Sequence, residues 1–307
     1  MDNEHKGRVI ATLIKKGGTG KSETALNLAY GLSQAGRKVL LIDMDSQTNA
    51  TNLLLHKKAE QEKQKNVNKL RKMIDEKKER NEWDNNDAGF GWRILKEFLE
   101  TDSMQDKDIS HVLTNKCGIK DVIVETRCSN LYLAPASNNL TMTDLEMKTN
   151  PDYGQLFRGK IQDIRNEYDY IIIDEMPVEN AITLCTLECC IKKKDIILYP
   201  LKVENKALSG MEAIHDRVSR IKNYLGHKGQ EKILITMKNR NAVDRSYIET
   251  LREIFGDCIL KTEIPYQAKP ILDATQQDKI LLEMDEKREF NVSQAYQQLV
   301  DEIIASE

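Results

Sequence analysis

The sequence predicts an α/β fold: a single domain built on a mostly parallel sheet covered by helices on both faces. Three observations carry that expectation. Short apolar runs alternate with helical patterns along the 307 residues. The runs are apolar throughout, as in strands buried on both faces. The first strand-to-helix junction holds Lys16-Gly-Gly-Thr-Gly-Lys-Ser22, a glycine-rich loop at the start of a helix.

Val9 to Ile14 reads as the first strand, and Ser22 to Ala35 as the first helix, ended by Gly36 with Arg37 and Lys38 beside it. Val39 to Ile42 is a second strand before Asp43-Met-Asp45. The same order recurs at Leu131–Leu133, at Tyr170–Ile173 before Asp174, and at Ile196–Tyr199 before Pro200. It recurs again at Lys232–Thr236 before Met237 and at Leu260–Ile264 before Pro265. Helical spacing fills 151–168, 179–192, 207–225, 243–255 and 292–305. Functional groups are then expected at the carboxyl ends of the strands. Residues 56 to about 92 break the pattern, being dense in Lys, Glu, Asn and Gln, with only Val67, Leu70 and Ile74 in apolar spacing. The expectation is one domain over 1–307 with a charged insertion there, either a solvated helical hairpin or a flexible excursion. Its charges are of both signs, which favours a solvated face over a nucleic-acid arm.

A formal net charge of -3 gives no bulk argument for nucleic acid and leaves only a local basic patch open. No apolar stretch approaches the ~20 residues of a membrane span, and residues 1–6 hold no apolar signal core. A cytoplasmic protein is expected. Of the six cysteines, Cys185, Cys189 and Cys190 lie in a helical pattern. With no C-x-x-C pair and no histidine partner, core packing is favoured over a metal or iron–sulfur role.

The glycine loop carries the chemistry. Gly17, Gly18 and Gly20 let the backbone turn tightly, so that successive N–H groups around Thr19 face an anion at the positive end of a helix. Lys21 adds a point charge for β/γ-phosphates and Ser22 a hydroxyl for Mg²⁺, so a nucleotide polyphosphate with Mg²⁺ is the expected ligand, which the resemblance given below implies to be ATP. Lys15 stands where the ordinary G-x-x-x-x-G-K-[ST] pattern asks for glycine, and Lys16 directly precedes the paired glycines. That is the deviant Walker A form. A basic surface turn would need neither the strand before it nor the helix after it. Asp174 ends an apolar run where a Walker B carboxylate would hold Mg²⁺. Asp43 and Asp45 follow the second strand, and one of them could orient an attacking water.

Three segments together resemble the ParA family of DNA-partitioning ATPases. They are Lys16–Ser22, Val39-Leu-Leu-Ile-Asp-Met-Asp-Ser-Gln-Thr-Asn-Ala-Thr51, and Tyr168-Asp-Tyr-Ile-Ile-Ile-Asp-Glu-Met-Pro177. Further matches are Ala207-Leu-Ser-Gly210, Phe255-Gly-Asp257, Lys261-Thr-Glu-Ile-Pro265 and Lys269-Pro-Ile271. The resemblance implies a P-loop ATPase of deviant Walker A type, with weak intrinsic turnover, that forms an ATP-dependent homodimer. It implies non-specific DNA binding, nucleoid association with ATP, and hydrolysis stimulated by a ParB-like partner. Lys21 would bind the β/γ-phosphates, and Lys16 would reach across the dimer to the other copy's ATP. Asp45 would place the water, with Ser22 and Asp174 at the metal. Met237 and Pro265 would flank adenine. Glu23 departs from a threonine that touches the α-phosphate, Ser46 from a proline, and Glu175-Met176 from Cys-Pro. Only Tyr266-Gln-Ala268 stands where relatives carry an arginine-bearing loop. DNA contacts would then fall to Arg217, Arg220, Lys222, Lys238 and Arg240.

Other readings are a MinD-like positioning ATPase, a non-segregation regulatory ATPase and a nitrogenase-iron-protein type of reductase. The first is disfavoured by the acidic 296–307 segment, which anionic lipid would repel. The cysteine positions disfavour the last. The first strand begins so early that a preceding helix-turn-helix domain, and hence autorepression, is not expected.

Overall fold

The computed structural model describes residues 7–14, 16–80, 89–94, 107–150, 152–177, 180–204, 212, 214–221, 223 and 228–307. Two compact units emerge, Met1–Leu54 with Asp108–Glu307, and Leu55–Lys107.

The first unit is an eight-stranded sheet in the order β3-β4-β2-β5-β1-β6-β7-β8. Its strands are β1 (Arg8–Thr12), β2 (Val39–Met44), β3 (Val124–Glu125), β4 (Leu131–Ala134), β5 (Tyr170–Glu175), β6 (Ile196–Lys202), β7 (Gln230–Lys238) and β8 (Ile259–Pro265). Every neighbouring pair is parallel except β3 with β4. The central strands are buried at every residue, which explains why they read as unbroken apolar runs. Val9, Ala11, Leu40, Ile42, Ile171 and Ile173 point to one face, in a core shared with α3 (Ile109–Leu113), α4 (Leu140–Thr149), α5 (Asp152–Ile164) and α6 (Ala181–Cys189). By strand alternation Ile10, Leu41 and Ile172 face the opposite side. There α1 (Lys21–Gln34) packs with α9 (Leu281–Met284) and α10 (Asn291–Ala305). The chain also carries α2 (Asn49–Glu79), α7 (Ala242–Phe255) and α8 (Ala268–Gln276).

The observed boundaries correct the sequence reading in places. β1 stops at Thr12; Leu13 and Ile14 stay buried, and Leu13 N donates to Leu198 O at 2.9 Å. β2 runs on to Met44, taking Asp43 into the sheet. The break expected at 56 lies inside a continuous helix, since α2 begins at Asn49. In the second unit that helix presents Lys72 and Glu76 one turn apart as a solvated pair, and Val67 and Trp92 are exposed. Residues 81–88 of the expected insertion and 95–106 beyond it lie outside the described residues, as do 207–211, 213, 222, 224 and 225 of the helix expected over 207–225; 214–221 is helical.

Candidate functional site

Strand register assembles the centre of the site. Thr12 pairs with Asp174 between β1 and β5, and Asp43 pairs with Asp174 between β2 and β5. All three share the alternation of Ile10, Leu41 and Ile172, so they project on the α1 face, where Lys21 opens the helix. Glu175 is one residue out of phase and turns to the other face. There its Oε2 accepts a hydrogen bond from Thr186 Oγ1 of α6 at 2.6 Å. Asp174 and Glu175 are adjacent in sequence yet serve opposite sides of the sheet.

The loop between β1 and α1 behaves as its composition requires. Gly18 (φ 71°) and Gly20 (φ 81°) occupy the left-handed region that a side chain would strain. A Cβ on Gly17 or Gly18 would meet nothing within 4 Å, so that rim of the loop is not packed against other residues. Thr19 is buried beneath it, and its carbonyl accepts from Thr236 Oγ1 at 2.8 Å, tying the loop to the end of β7.

Lys21 is only 6% exposed. Its Nζ donates to the Lys16 carbonyl at 3.0 Å. Burial pulls its ammonium below the ordinary value, while Asp174, Asp45 and Glu175 push it back up. The Lys16 side chain pairs with Glu204, just beyond β6. Burial lifts Asp174 to about 7, with Asp43 adding to the rise and Ser22 and Lys21 opposing it. Its Oδ1 accepts from Thr12 Oγ1 at 3.3 Å, while the buried Oδ2 has no hydrogen-bond partner among the described residues. Burial likewise holds Asp43 at about 6 and Glu175 at about 8.

Asp43 organises the segment after β2. Its Oδ1 accepts from Asp45 N at 3.0 Å, and its Oδ2 from Thr51 N and Oγ1 at 2.9 and 2.7 Å. Thr51 Oγ1 accepts in turn from Ala136 N. Asp45 is half-buried, with Oδ1 accepting from Gln47 N. Ser46 therefore sits in a turn pinned on both sides.

Glu23 turns along α1, where its Oε1 accepts from Asn27 Nδ2 at 2.7 Å, one turn further from the loop. Its carboxylate is thus directed away from the phosphate loop. Met237 takes a left-handed backbone (φ 52°), and its Cε would lie 3.7 Å from a Cβ on Gly20, which sets its side chain against the loop. Pro265 pairs with Lys238 at the ends of β8 and β7. Lys238, Arg240, Glu263, Pro265, Asn291 and Gln298 line a cleft of about 280 Å³ there.

The five basic residues expected to contact DNA divide. Lys238 is committed to Glu263, which Arg252 also binds at 2.8 Å. Arg217 is half-buried beside a groove lined by Tyr153, Asn180 and Glu188, while Arg220 and Arg240 are exposed. Lys222 and residues 207–210 lie outside the described residues. Sequence reasoning missed Thr12, Thr51, Thr236 and Glu204. Thr12, Thr236 and Glu204 stand at or just past the carboxyl end of a parallel strand, the one position that could have drawn attention to them.

An anion cradle on a helix start, a buried lysine and a carboxylate row at the strand ends define the class: a P-loop ATPase of deviant Walker A type. A family model described as "AAA domain" matches residues 7–231. The sporulation initiation inhibitor protein Soj of Bacillus subtilis is 26% identical over 261 residues, covering 84% of each chain. The chromosome partitioning protein ParA of Myxococcus xanthus is 28% identical over 261 residues, covering 84% of this chain and 75% of the relative. The ATP complex of a McdA variant from Cyanothece shares the fold, with a TM-score of 0.70 at 15% identity over 97% of this chain and 96% of the other. The chain belongs to the ParA/MinD family of ATPases.

Proposed function

We propose that this chain is a DNA-partition ATPase, one ParA-like domain carrying the 55–107 unit as an insertion. It binds ATP, closes into a homodimer on it, holds DNA without sequence preference, and hydrolyses slowly until a ParB-like partner accelerates turnover. The observation that carries the reading is the glycine loop, unpacked at its rim, above a buried Lys21 that faces Asp174 and Asp45.

The roles follow from chemistry. Backbone N–H groups of Gly17 to Ser22 hold the phosphate oxygens, and Lys21 exchanges the Lys16 carbonyl for the β/γ-phosphates. Glu23 contributes its N–H alone, because its carboxylate is engaged with Asn27. The unpartnered Oδ2 of Asp174, the Ser22 hydroxyl and Asp45 fit a hard cation bound by oxygen. Among the described residues no cluster of three metal-ligating side chains exists, which suits an ion that takes the rest of its shell from water and phosphate. These residues would hold Mg²⁺, which when bound neutralises phosphate charge. Asp45, fixed through Asp43, orients the attacking water. Met237 and Pro265 border the space for adenine. Lys16 is donated to the other copy's triphosphate, offsetting the repulsion of two nucleotides brought face to face. Exposed Arg220 and Arg240, with Arg217 and Lys222, supply phosphate contacts, and Lys238 joins them only by leaving Glu263.

The protein would work in the cytoplasm, on the nucleoid when ATP-bound. Among the described residues no helix is long and apolar enough to cross a membrane. The apolar residues Val292, Tyr296, Leu299, Val300 and Ile303 of α10 are buried in the protein, which argues against a MinD-like lipid-binding tail.

The test is retention of arbitrary duplex DNA in a gel, with and without ATP. Wild type should shift DNA only with ATP. Asp45→Ala should keep the shift while losing about 100-fold in turnover. Lys16→Ala should bind ATP without dimerising. Wild type that ignores ATP, or Asp45→Ala hydrolysing at the wild-type rate, would count against the reading.

A further inference from the structure

The strand that leads into the phosphate loop ends on a polar residue. Val9, Ile10 and Ala11 of β1 are apolar and fully buried; Thr12 is as deeply buried and is not apolar. A hydroxyl sealed inside a sheet is unfavourable unless it is hydrogen-bonded. Thr12 Oγ1 has two acceptors on the neighbouring β5, the Ile173 carbonyl at 3.2 Å and Asp174 Oδ1 at 3.3 Å. Valine shares the β-branched shape and would bring no polar atom, so packing alone does not call for threonine. The consequence of the hydroxyl falls on Asp174.

Asp174 stands in a row across three strands. Asp43 on β2 is its register partner on one side, and Thr12 on β1 is its partner on the other. Asp43 repels the carboxylate, while Thr12 donates to it. Its two oxygens are thereby made unequal. Oδ1 is engaged toward β1, and the buried Oδ2 has no hydrogen-bond partner among the described residues. We propose that Thr12 is a positioning residue for the cation: its hydroxyl fixes the rotation of the Asp174 carboxylate, so that one oxygen, Oδ2, is left for Mg²⁺. The inference rests on the reading of Asp174 as a residue that holds that ion. Mg²⁺ demands near-ideal octahedral geometry and takes few carboxylate oxygens, so a carboxylate that cannot turn to offer both suits it. Thr12 thus acts through Asp174.

Removing a hydrogen-bond partner from behind a metal ligand lowers metal affinity by about 10- to 100-fold. A hydroxyl shared between acceptors at 3.2 and 3.3 Å belongs at the lower end, about tenfold. The experiment is titration calorimetry of a non-hydrolysable ATP analogue, in EDTA and across a series of Mg²⁺ concentrations. The proteins are wild type, Thr12→Val, Thr12→Ala, Thr12→Ser and Asp174→Asn. Thr12→Val should match wild type in EDTA and need about tenfold more Mg²⁺ for half of the tightening that the ion brings. Thr12→Ala, which also lacks the hydroxyl, should do the same, and Thr12→Ser, which keeps it, should follow wild type. Asp174→Asn should lose most of the tightening. A Thr12→Val curve that superimposes on wild type at every Mg²⁺ concentration overturns the proposal. So does a loss of equal size in EDTA, which marks a role in shaping the loop rather than in holding the carboxylate. So does a Thr12→Ser variant that behaves like Thr12→Val. An Asp174→Asn variant that tightens with Mg²⁺ as wild type does would remove the reading of Asp174 itself, and the proposal with it. The two failures are told apart by whether Asp174→Asn still responds to Mg²⁺.

Discussion

At the scale of single residues, the site is an arrangement of carboxylates held where water cannot solvate them. Asp174 at about 7 and Glu175 at about 8 sit above ordinary carboxylates because of burial. The folded chain therefore keeps protons that the unfolded chain has released. Stability from this source is fully present below about pH 4, where both states are protonated, and is lost as pH rises through about 7 and 8. Asp174→Asn should raise the melting temperature at about pH 8 in a chelating buffer and leave it unchanged near pH 4. Differential scanning calorimetry at the two pH values checks the sign. Thr236 is the second case. Its hydroxyl is the donor to the Thr19 carbonyl, and Val at this position would orphan a buried acceptor under the phosphate loop. Thr236→Val should weaken ATP binding by about tenfold, and Thr236→Ser should restore it, as measured by titration calorimetry.

At the scale of elements, helix α1 meets α10 at a point where only glycine fits. A Cβ at Gly31 would overlap Val300 Cγ2 and come within 3.3 Å of Leu282 Cδ1. Gly31→Ala should cost about 1–3 kcal/mol by overpacking, and adding Val300→Ala should recover part of it, as measured by urea unfolding. That close approach is invisible in the sequence, where Gly31 reads as an ordinary interruption of a helix. The parallel strands were legible because full burial makes them apolar from end to end, with a polar residue or proline closing most of them. β3 was not, since two residues carry no period. α4 was missed for a different reason: Met142 and Leu145 are exposed, so its apolar residues do not mark one face. The reach of α2 past residue 56 follows from helix propagation through Lys- and Glu-rich sequence, which has the propensity for a helix.

At the scale of the whole molecule, the sheet has two chemically different ends. The phosphate loop was readable because its parts are contiguous. The hold of Glu204 on Lys16, and of Glu263 on Lys238, was not, because tertiary structure alone joins them. The nucleotide chemistry gathers at the carboxyl ends, while the amino ends carry a buried ion pair with no role in it. Arg165 and Asp195 are 1% and 0% exposed and pair with each other. Asp195 also accepts from Val9 N at 3.1 Å and Lys192 N at 2.7 Å, fastening the start of β1 to the turn before β6. Arg165 Nε and Nη1 have no other partner among the described residues. Asp195→Ala strands a buried guanidinium and should cost about 3–5 kcal/mol of stability. Val9 and Thr12 are separated by about 10 Å of extended strand, and the damage lies at the far end from the phosphate loop. ATP affinity measured below the melting transition should therefore stay within about twofold of wild type, while the melting temperature falls. Replacing both partners, Arg165→Met with Asp195→Leu, should return part of the stability: the guanidinium is no longer stranded, but Val9 N and Lys192 N still lack their acceptor. If ATP affinity instead fell in step with stability, the two ends of the sheet would be energetically coupled, and the division between scaffold and site drawn from their geometry would fail.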